Sequence, residues 1–178
     1  MIFRKDLAGR RFQIRQAGHE DAPALAEILS ELALSDDYIL LSPEEVEIDS
    51  ARRGEEIARA RSMSDRWHLA VADQDGVAVG MLDLRAIPMR KCGHVMELGI
   101  GLRAGARGRG IGTAMMRYAV ETAASLGYRK LRLFVIAGND RALHLYSKEG
   151  FSETGRFVGE VRVRDRFEDL VVMERMLP

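Results

Sequence analysis

Apolar side chains recur along this chain with two different periods, and the places where one period yields to the other divide it into elements. Strict alternation over residues 12–16 predicts a short strand. Ala22, Leu25, Ile28, Leu29 and Leu32 then fall on one helical face, with Pro23 tolerated in the first turn. Ser42-Pro43-Glu44-Glu45 has the form of a capping box with proline at the first helical position, which predicts that a second helix starts there. Its apolar face, Val46, Ile48 and Ile57, is thin and Gly54 weakens its middle, so a mobile surface helix is expected. Residues 67–72 and 77–84 read as a hairpin around a D-Q-D-G turn in which Gly76 can take positive φ. Residues 94–102 form the next strand, with Met96, Leu98, Ile100 and Leu102 on one face and Glu97, Gly99 and Gly101 on the other. A helix follows, carried by Ile111, Ala114, Met115, Tyr118, Ala119, Thr122, Ala123 and Leu126, with Gly127 as its C-cap. Residues 130–136 predict a strand, Asn139 caps a helix over 140–148, and residues 151–157 and 167–176 supply two closing antiparallel strands. The order β-α-α-β-β-β-α-β-α-β-β describes an α/β protein of the α+β type, with a mixed, mostly antiparallel sheet of about seven strands and four flanking helices. Residues 1–11 mix charges with few apolar side chains and are expected to be a loose arm.

Composition narrows the class. A chain of 178 residues, 47% hydrophobic, buries a sizeable core and fits a single domain spanning residues 1–178. Lys plus Arg and Asp plus Glu both total 27, so no global field recruits nucleic acid or an anionic membrane. The lone Cys92 excludes an internal disulfide and a cysteine-based metal cluster, and without a matched base it is a poor nucleophile. No long apolar run or cleavable signal pattern is present, so the cytoplasm is the expected location.

Chemistry concentrates where the strand of residues 94–102 passes into the next helix through R-G-R-G-I-G-T, residues 107–113. Free N–H groups at a helix start hold phosphate oxygens, and glycines admit a ligand close to the main chain. A P-loop is disfavoured, because Ile111 and Gly112 stand where Lys and Ser/Thr are needed after Gly105 and Gly110. A dinucleotide fingerprint is disfavoured too, since Met115 follows Gly110-x-Gly112 and no acidic residue ends the next strand. Arg107, Gly110 and Gly112 do match [QR]-x-x-G-x-[GA], and Asn139 to Phe151, N-D-R-A-L-H-L-Y-S-K-E-G-F, match N-x-x-A-x-x-x-Y-x-x-x-G-F in the right order. Together the two motifs resemble the signatures of the GNAT superfamily of acyl-CoA-dependent N-acetyltransferases, over roughly residues 67–151.

That resemblance implies a GNAT-like fold and acetyl-CoA as cosubstrate, with no metal required. Arg107, Gly108, Arg109, Gly110, Ile111, Gly112 and Thr113 would bind its pyrophosphate, mainly through backbone N–H groups. Ile100 and Leu102 stand where family members pair strand backbone with the pantetheine amides, and Asn139 where the cofactor arm is often touched. Tyr146 matches the tyrosine that protonates the departing thiolate; its plain alternative is a buried aromatic. Glu97 is the leading general base, because an ammonium must lose a proton before attacking a thioester; its plain alternative is an ion pair across the sheet. His94 points to the opposite face of a regular strand. Asp36, Asp37 and Tyr38 could line a pocket for a cationic amine, although such runs are more often solvated turns. Arg162, Arg164 and Arg166 form a basic stripe suited to surface or subunit contact. The expected activity is direct acetyl transfer to an amine of a small molecule or protein, in a homodimer; a non-catalytic acyl-CoA-binding module is the alternative. The acceptor is not legible.

Overall fold

A computed structural model of the chain describes residues 2–7, 10–35, 37–46 and 49–178. The strands are β1 (Ile2–Leu7), β2 (Arg10–Gln16), β3 (Trp67–Gln74), β4 (Val77–Ala86), β5 (Val95–Leu102), β6 (Lys130–Ile136), β7 (Ser152–Val163) and β8 (Arg166–Met176). The helices are α1 (Ala22–Ser35), α2 (Ser50–Ser62), α3 (Ile111–Ser125) and α4 (Asp140–Lys148). The strands form one sheet in the order β1-β2-β3-β4-β5-β6-β8-β7, in which only β5 and β6 pair in parallel. Seven of the strands are the expected ones. The eighth, β1, lies in the stretch expected to be an arm and pairs antiparallel with β2.

Strand parity distributes the core over both faces of the sheet. Ala70, Ala72, Leu82, Leu84, Met96, Leu98, Leu131 and Leu133 pack against α3 and α4, where Met115, Met116, Tyr118 and Ala119 are wholly buried. Leu69 and Val71 face the other way and meet Leu25, Ile28, Leu32, Ile57 and Ala60 of α1 and α2. At a typical 25 cal/mol per Å² of apolar surface, each of the leucine, isoleucine, valine and methionine side chains among them contributes roughly 1.5–3 kcal/mol. The corner between β2 and α1 is held by ionic contacts: Arg15 grips Asp21 with both terminal nitrogens, at 2.6 and 2.8 Å, and the Gly18 N–H donates to the same carboxylate at 2.7 Å.

Two expectations about the second helix are corrected. The capping box at Ser42 is real, with the Ser42 N–H donating to Glu45 Oε2 at 2.8 Å, but it closes a single 3-10 turn, Pro43–Glu45. The helix proper begins at Ser50, where Asp49 accepts a hydrogen bond from the Ala51 N–H at 2.8 Å. Gly54 is buried rather than a weak point on the surface: a Cβ there would lie 2.9 Å from Nε2 of His19, so glycine lets α2 approach the α1 corner. Ile48 and Asp36 lie outside the described residues. The basic stripe is also interrupted, because Arg164 and Asp165 form the turn between β7 and β8, and Arg164 carries a φ of 55°.

Helix α3 is tied to the sheet by a buried polar contact, His68 Nε2 to the Tyr118 hydroxyl at 3.0 Å. Burial pushes the imidazole down from 6.5 to about 4. The unfolded chain therefore binds an extra proton between these values, and stability is lost as pH falls through that window. Chemical denaturation is expected to give constant stability above pH 7 and a decline between pH 6.5 and 4. The decline should be shallower in His68→Gln; an unchanged slope would assign that titration to other groups.

Candidate active site

β5 and β6 pair through only three positions, Val95–Lys130, Met96–Leu131 and Glu97–Arg132, although both strands run further. Each stays fully paired on its outer edge, β5 with β4 as far as Leu102–Gly80 and β6 with β8 as far as Ile136–Leu170. The inner edges therefore diverge and leave a wedge. Alternation fixes which groups face it. The Arg103 N–H donates to Val79 O on the β4 side and the Arg129 N–H to His94 O on the β6 side, both at 2.9 Å. Even-numbered residues of β5 thus turn their N–H and C=O groups toward the wedge, and Leu98, Ile100 and Leu102 are these residues. A ligand with amide groups can complete the ladder there.

The wedge opens into a cavity of about 1060 Å³, lined by Leu98 to Leu102, Phe134 and Val135 of the strands, by Asn139, Arg141, Leu145 and Tyr146 beside α4, and by Gly108, Gly110, Gly112 and Thr113 at the start of α3. Gly108 and Gly110 have φ of 78° and 79°, a region costly for side chains with a Cβ. Gly110 is the N-cap of α3 and offers no side-chain cap. The N–H groups of the first turn are left for an anion, with the positive end of the helix dipole behind them. Gly112 serves packing as well, since a Cβ there would stand 3.1 Å from Leu145. Arg107 uses Nε to hold Leu102 O at 3.0 Å, pinning the loop to the end of β5. Two members of the expected cradle do not point into the cavity: the Ile111 side chain is buried in the core, and Arg109 lines a separate hollow.

Tyr146 projects from α4 into the cavity wall, with Phe151 at 6.3 Å between ring centroids. Burial pushes its phenol up to about 12, so it is protonated throughout the neutral range. Asn139 acts as a helix cap, its side-chain oxygen accepting from the Ala142 N–H at 3.1 Å, and also lines the cavity. Arg141, two positions later, lies over the loop, 3.8 Å from where a Cβ on Gly108 would stand.

The floor on the α1 and α2 side departs from expectation. Glu97, Gly99 and Gly101 do share a face, but Glu97 accepts from Arg132 Nη2 at 2.9 Å and is not among the cavity-lining residues. Gly101 leaves room for Leu32 of α1, so part of the bare strip is covered by protein. Beside Gly99 stands Asp83 of β4, paired with it in register and lining the cavity. Trp67 Nε1 donates to Asp83 Oδ1 at 2.8 Å and Arg85 Nε to Oδ2 at 2.6 Å. Burial raises the Asp83 carboxyl above the ordinary carboxylate range, against the opposing pull of Arg85 and Trp67. Sequence reading missed Asp83, although the alternation of β4 already places it with Met81 and Arg85 on one face. Asp37 does not line the cavity; it pairs with Arg164 at 2.8 Å, whereas Tyr38 does line it and sits against Gly138. His94 lies just before β5 and is absent from the cavity lining, as is Cys92 in its 3-10 turn.

Comparison with known proteins bears on this geometry. Residues 29–151 match the Acetyltransferase (GNAT) family. An acetyltransferase of the GNAT family from Streptococcus pneumoniae superposes with a TM-score of 0.88 at 26% identity, covering 94% of this chain and 99% of that one. A phosphinothricin acetyltransferase from Sinorhizobium meliloti, solved in complex with acetyl-CoA, has the same fold, with a TM-score of 0.81 at 23% identity over 92% and 87% of the two chains. In sequence, a mycothiol acetyltransferase from Jonesia denitrificans is 28% identical over 82% of this chain and 56% of its own length. The chain spans between 50% and 62% of the length of the curated relatives it matches. The wedge, the glycine cradle and a family match covering most of the chain lead to one conclusion: this protein belongs to the GNAT family of acetyltransferases.

Proposed function

We propose that this chain is a single-domain N-acetyltransferase that moves the acetyl group of acetyl-CoA to an amine of a small molecule or protein by direct attack, without an acyl-enzyme. The observation that carries the reading is the wedge between β5 and β6, which ends on the open first turn of α3 and has Tyr146 in its wall. The cradle supplies backbone N–H groups for a pyrophosphate, and the Ile100 and Leu102 backbone suits the amides of a pantetheine arm. A phenol at about 12 keeps its proton until a thiolate departs, and acid assistance of this kind contributes roughly 10²–10⁴-fold. The relatives act, by name, on different acceptors, so none is carried over. The reading includes a cytoplasmic location and a homodimer. Phe157, Val158 and Phe167, exposed at 49%, 83% and 73% on the edge hairpin of β7 and β8, support the dimer.

Three measurements test this reading. Acetyl-CoA offered across a panel of amines should release free thiol only when an amine is present, with acetylated amine in equal amount; thiol release independent of amine would count against it. Gly110→Val should fold, by circular dichroism, yet bind acetyl-CoA about 10- to 100-fold more weakly by calorimetry, the loss of one or two hydrogen bonds to a charged group. Unchanged affinity would remove the cradle. Tyr146→Phe should lower kcat by about 10²-fold while acetyl-CoA affinity stays within about 3-fold, because the hydroxyl acts as charge develops on sulfur. Turnover at the unsubstituted rate would transfer the acid role to water or another residue.

A further inference from the structure

We propose that Asp83, rather than Glu97, is the carboxylate that takes the proton from the acceptor ammonium; the proposal rests on the N-acetyltransferase reading and names the group that serves its proton-transfer step. Among the described residues, four carboxylates line the cavity: Glu45, Asp49, Glu56 and Asp83. Glu45 is committed to the Ser42 N–H, Asp49 to the start of α2, and Glu56 is ion-paired with Arg53. Asp83 alone rises from the sheet floor, opposite Gly99, where the strands part and a thioester lying in the wedge would emerge. Glu97 sits two pairs further back along β5, at the last rung where β5 and β6 still pair, with Arg132 across from it.

The Asp83 carboxylate is held in place and remains able to accept a proton. Its two oxygens offer about four acceptor sites. Trp67 and Arg85 occupy two, which fixes the plane of the group and leaves two for a ligand. Its side chain is 22% exposed, so an acceptor in the cavity can reach it, whereas that of Glu97 is 42% exposed and outside the lining. The charges around Asp83 are Arg85 on its own strand, with Glu97 beyond it on β5, and Arg53 with Glu56 on α2. Arg85 favours the ionised form and Glu56 opposes it, so the site is not overwhelmed by either sign. The apolar wall of Ile39, Leu40, Leu41 and Phe134 faces the same space, which suits a primary amine on an apolar stem.

The step balances. The ammonium gives one proton to Asp83, leaving a free amine and a protonated carboxyl. The amine lone pair forms the C–N bond to the acetyl carbon, and the C–S bond breaks with its electron pair on sulfur. Tyr146 gives its proton to that thiolate and regains one from the nitrogen as it becomes an amide. Asp83 then returns its proton to water, so the products are amide, free thiol and one released proton.

The test uses the full chain with acetyl-CoA and millimolar benzylamine, following thiol release from pH 6.5 to 10. Asp83→Asn is expected to lower kcat/KM at pH 7 by about 10²-fold, with recovery as the pH nears that of the free amine and acetyl-CoA affinity unchanged. Glu97→Gln is expected to keep the shape of the unsubstituted pH profile. Trp67→Phe retains the carboxylate but removes one donor to its anion, so the rising limb should move to higher pH, a shift that a merely structural Asp83 would not produce. An Asp83→Asn profile parallel to the unsubstituted one, or a Glu97→Gln protein with the alkaline recovery, overturns the assignment while the transferase reading stands. Acetyl-CoA binding without amine-dependent thiol release by the unsubstituted chain overturns both.

Discussion

The site depends on a hydrogen-bond ladder that stops. A parallel pair whose strands continue beyond their third rung leaves backbone groups with no partner on the adjacent strand, and such groups, if buried and unsatisfied, cost about as much as a lost hydrogen bond. Here they face a cavity rather than packed side chains, so water or a ligand can satisfy them. The wedge persists because each strand is anchored on its far edge, β5 to β4 and β6 to β8, while the wholly buried Met115, Tyr118 and Ala119 hold α3 against the sheet. The same arrangement puts the open N–H groups of the α3 first turn at the mouth of the wedge. One constraint thus creates both the extended slot and the open helix start at its mouth.

Two carboxylates of one sheet face are treated differently by their neighbours. Glu97 meets a guanidinium on the adjacent strand, at the point where pairing still holds β5 and β6 together. Asp83 meets the Trp67 indole and the Arg85 Nε, with the Arg85 guanidinium 4.3 Å above the Trp67 ring. Stacking fixes the arginine, and the arginine fixes the carboxylate. Burial also penalises the charged form of Asp83. The neighbouring loop is tethered similarly, with Asp37 joined to Arg164 at the tip of the β7–β8 hairpin and Tyr38 set against Gly138.

Much of this protein was legible in its sequence, because the signals involved are local. Period-two and helical spacing located seven strands and four helices, since each element must bury one face wherever it packs. The glycines at 108 and 110 announced a tight turn into an uncapped helix start, because positive φ and a missing cap are properties of a few consecutive residues. Tyr146 and Asn139 were visible as members of one helix. Tertiary structure alone decided the rest. Whether the Ser42 box opened a helix or a single turn depended on where α2 could dock, and Gly54 proved to be a contact point because His19, 35 positions away, folds against it. Parity put Glu97 on one face with Gly99 and Gly101 but could not reveal that Arg132 lies beside it, or that the carboxylate facing the cavity is Asp83, two positions further along the register, opposite Gly99. Those facts follow from pairing between strands distant in the chain, and no period within a single strand encodes the identity of its neighbour.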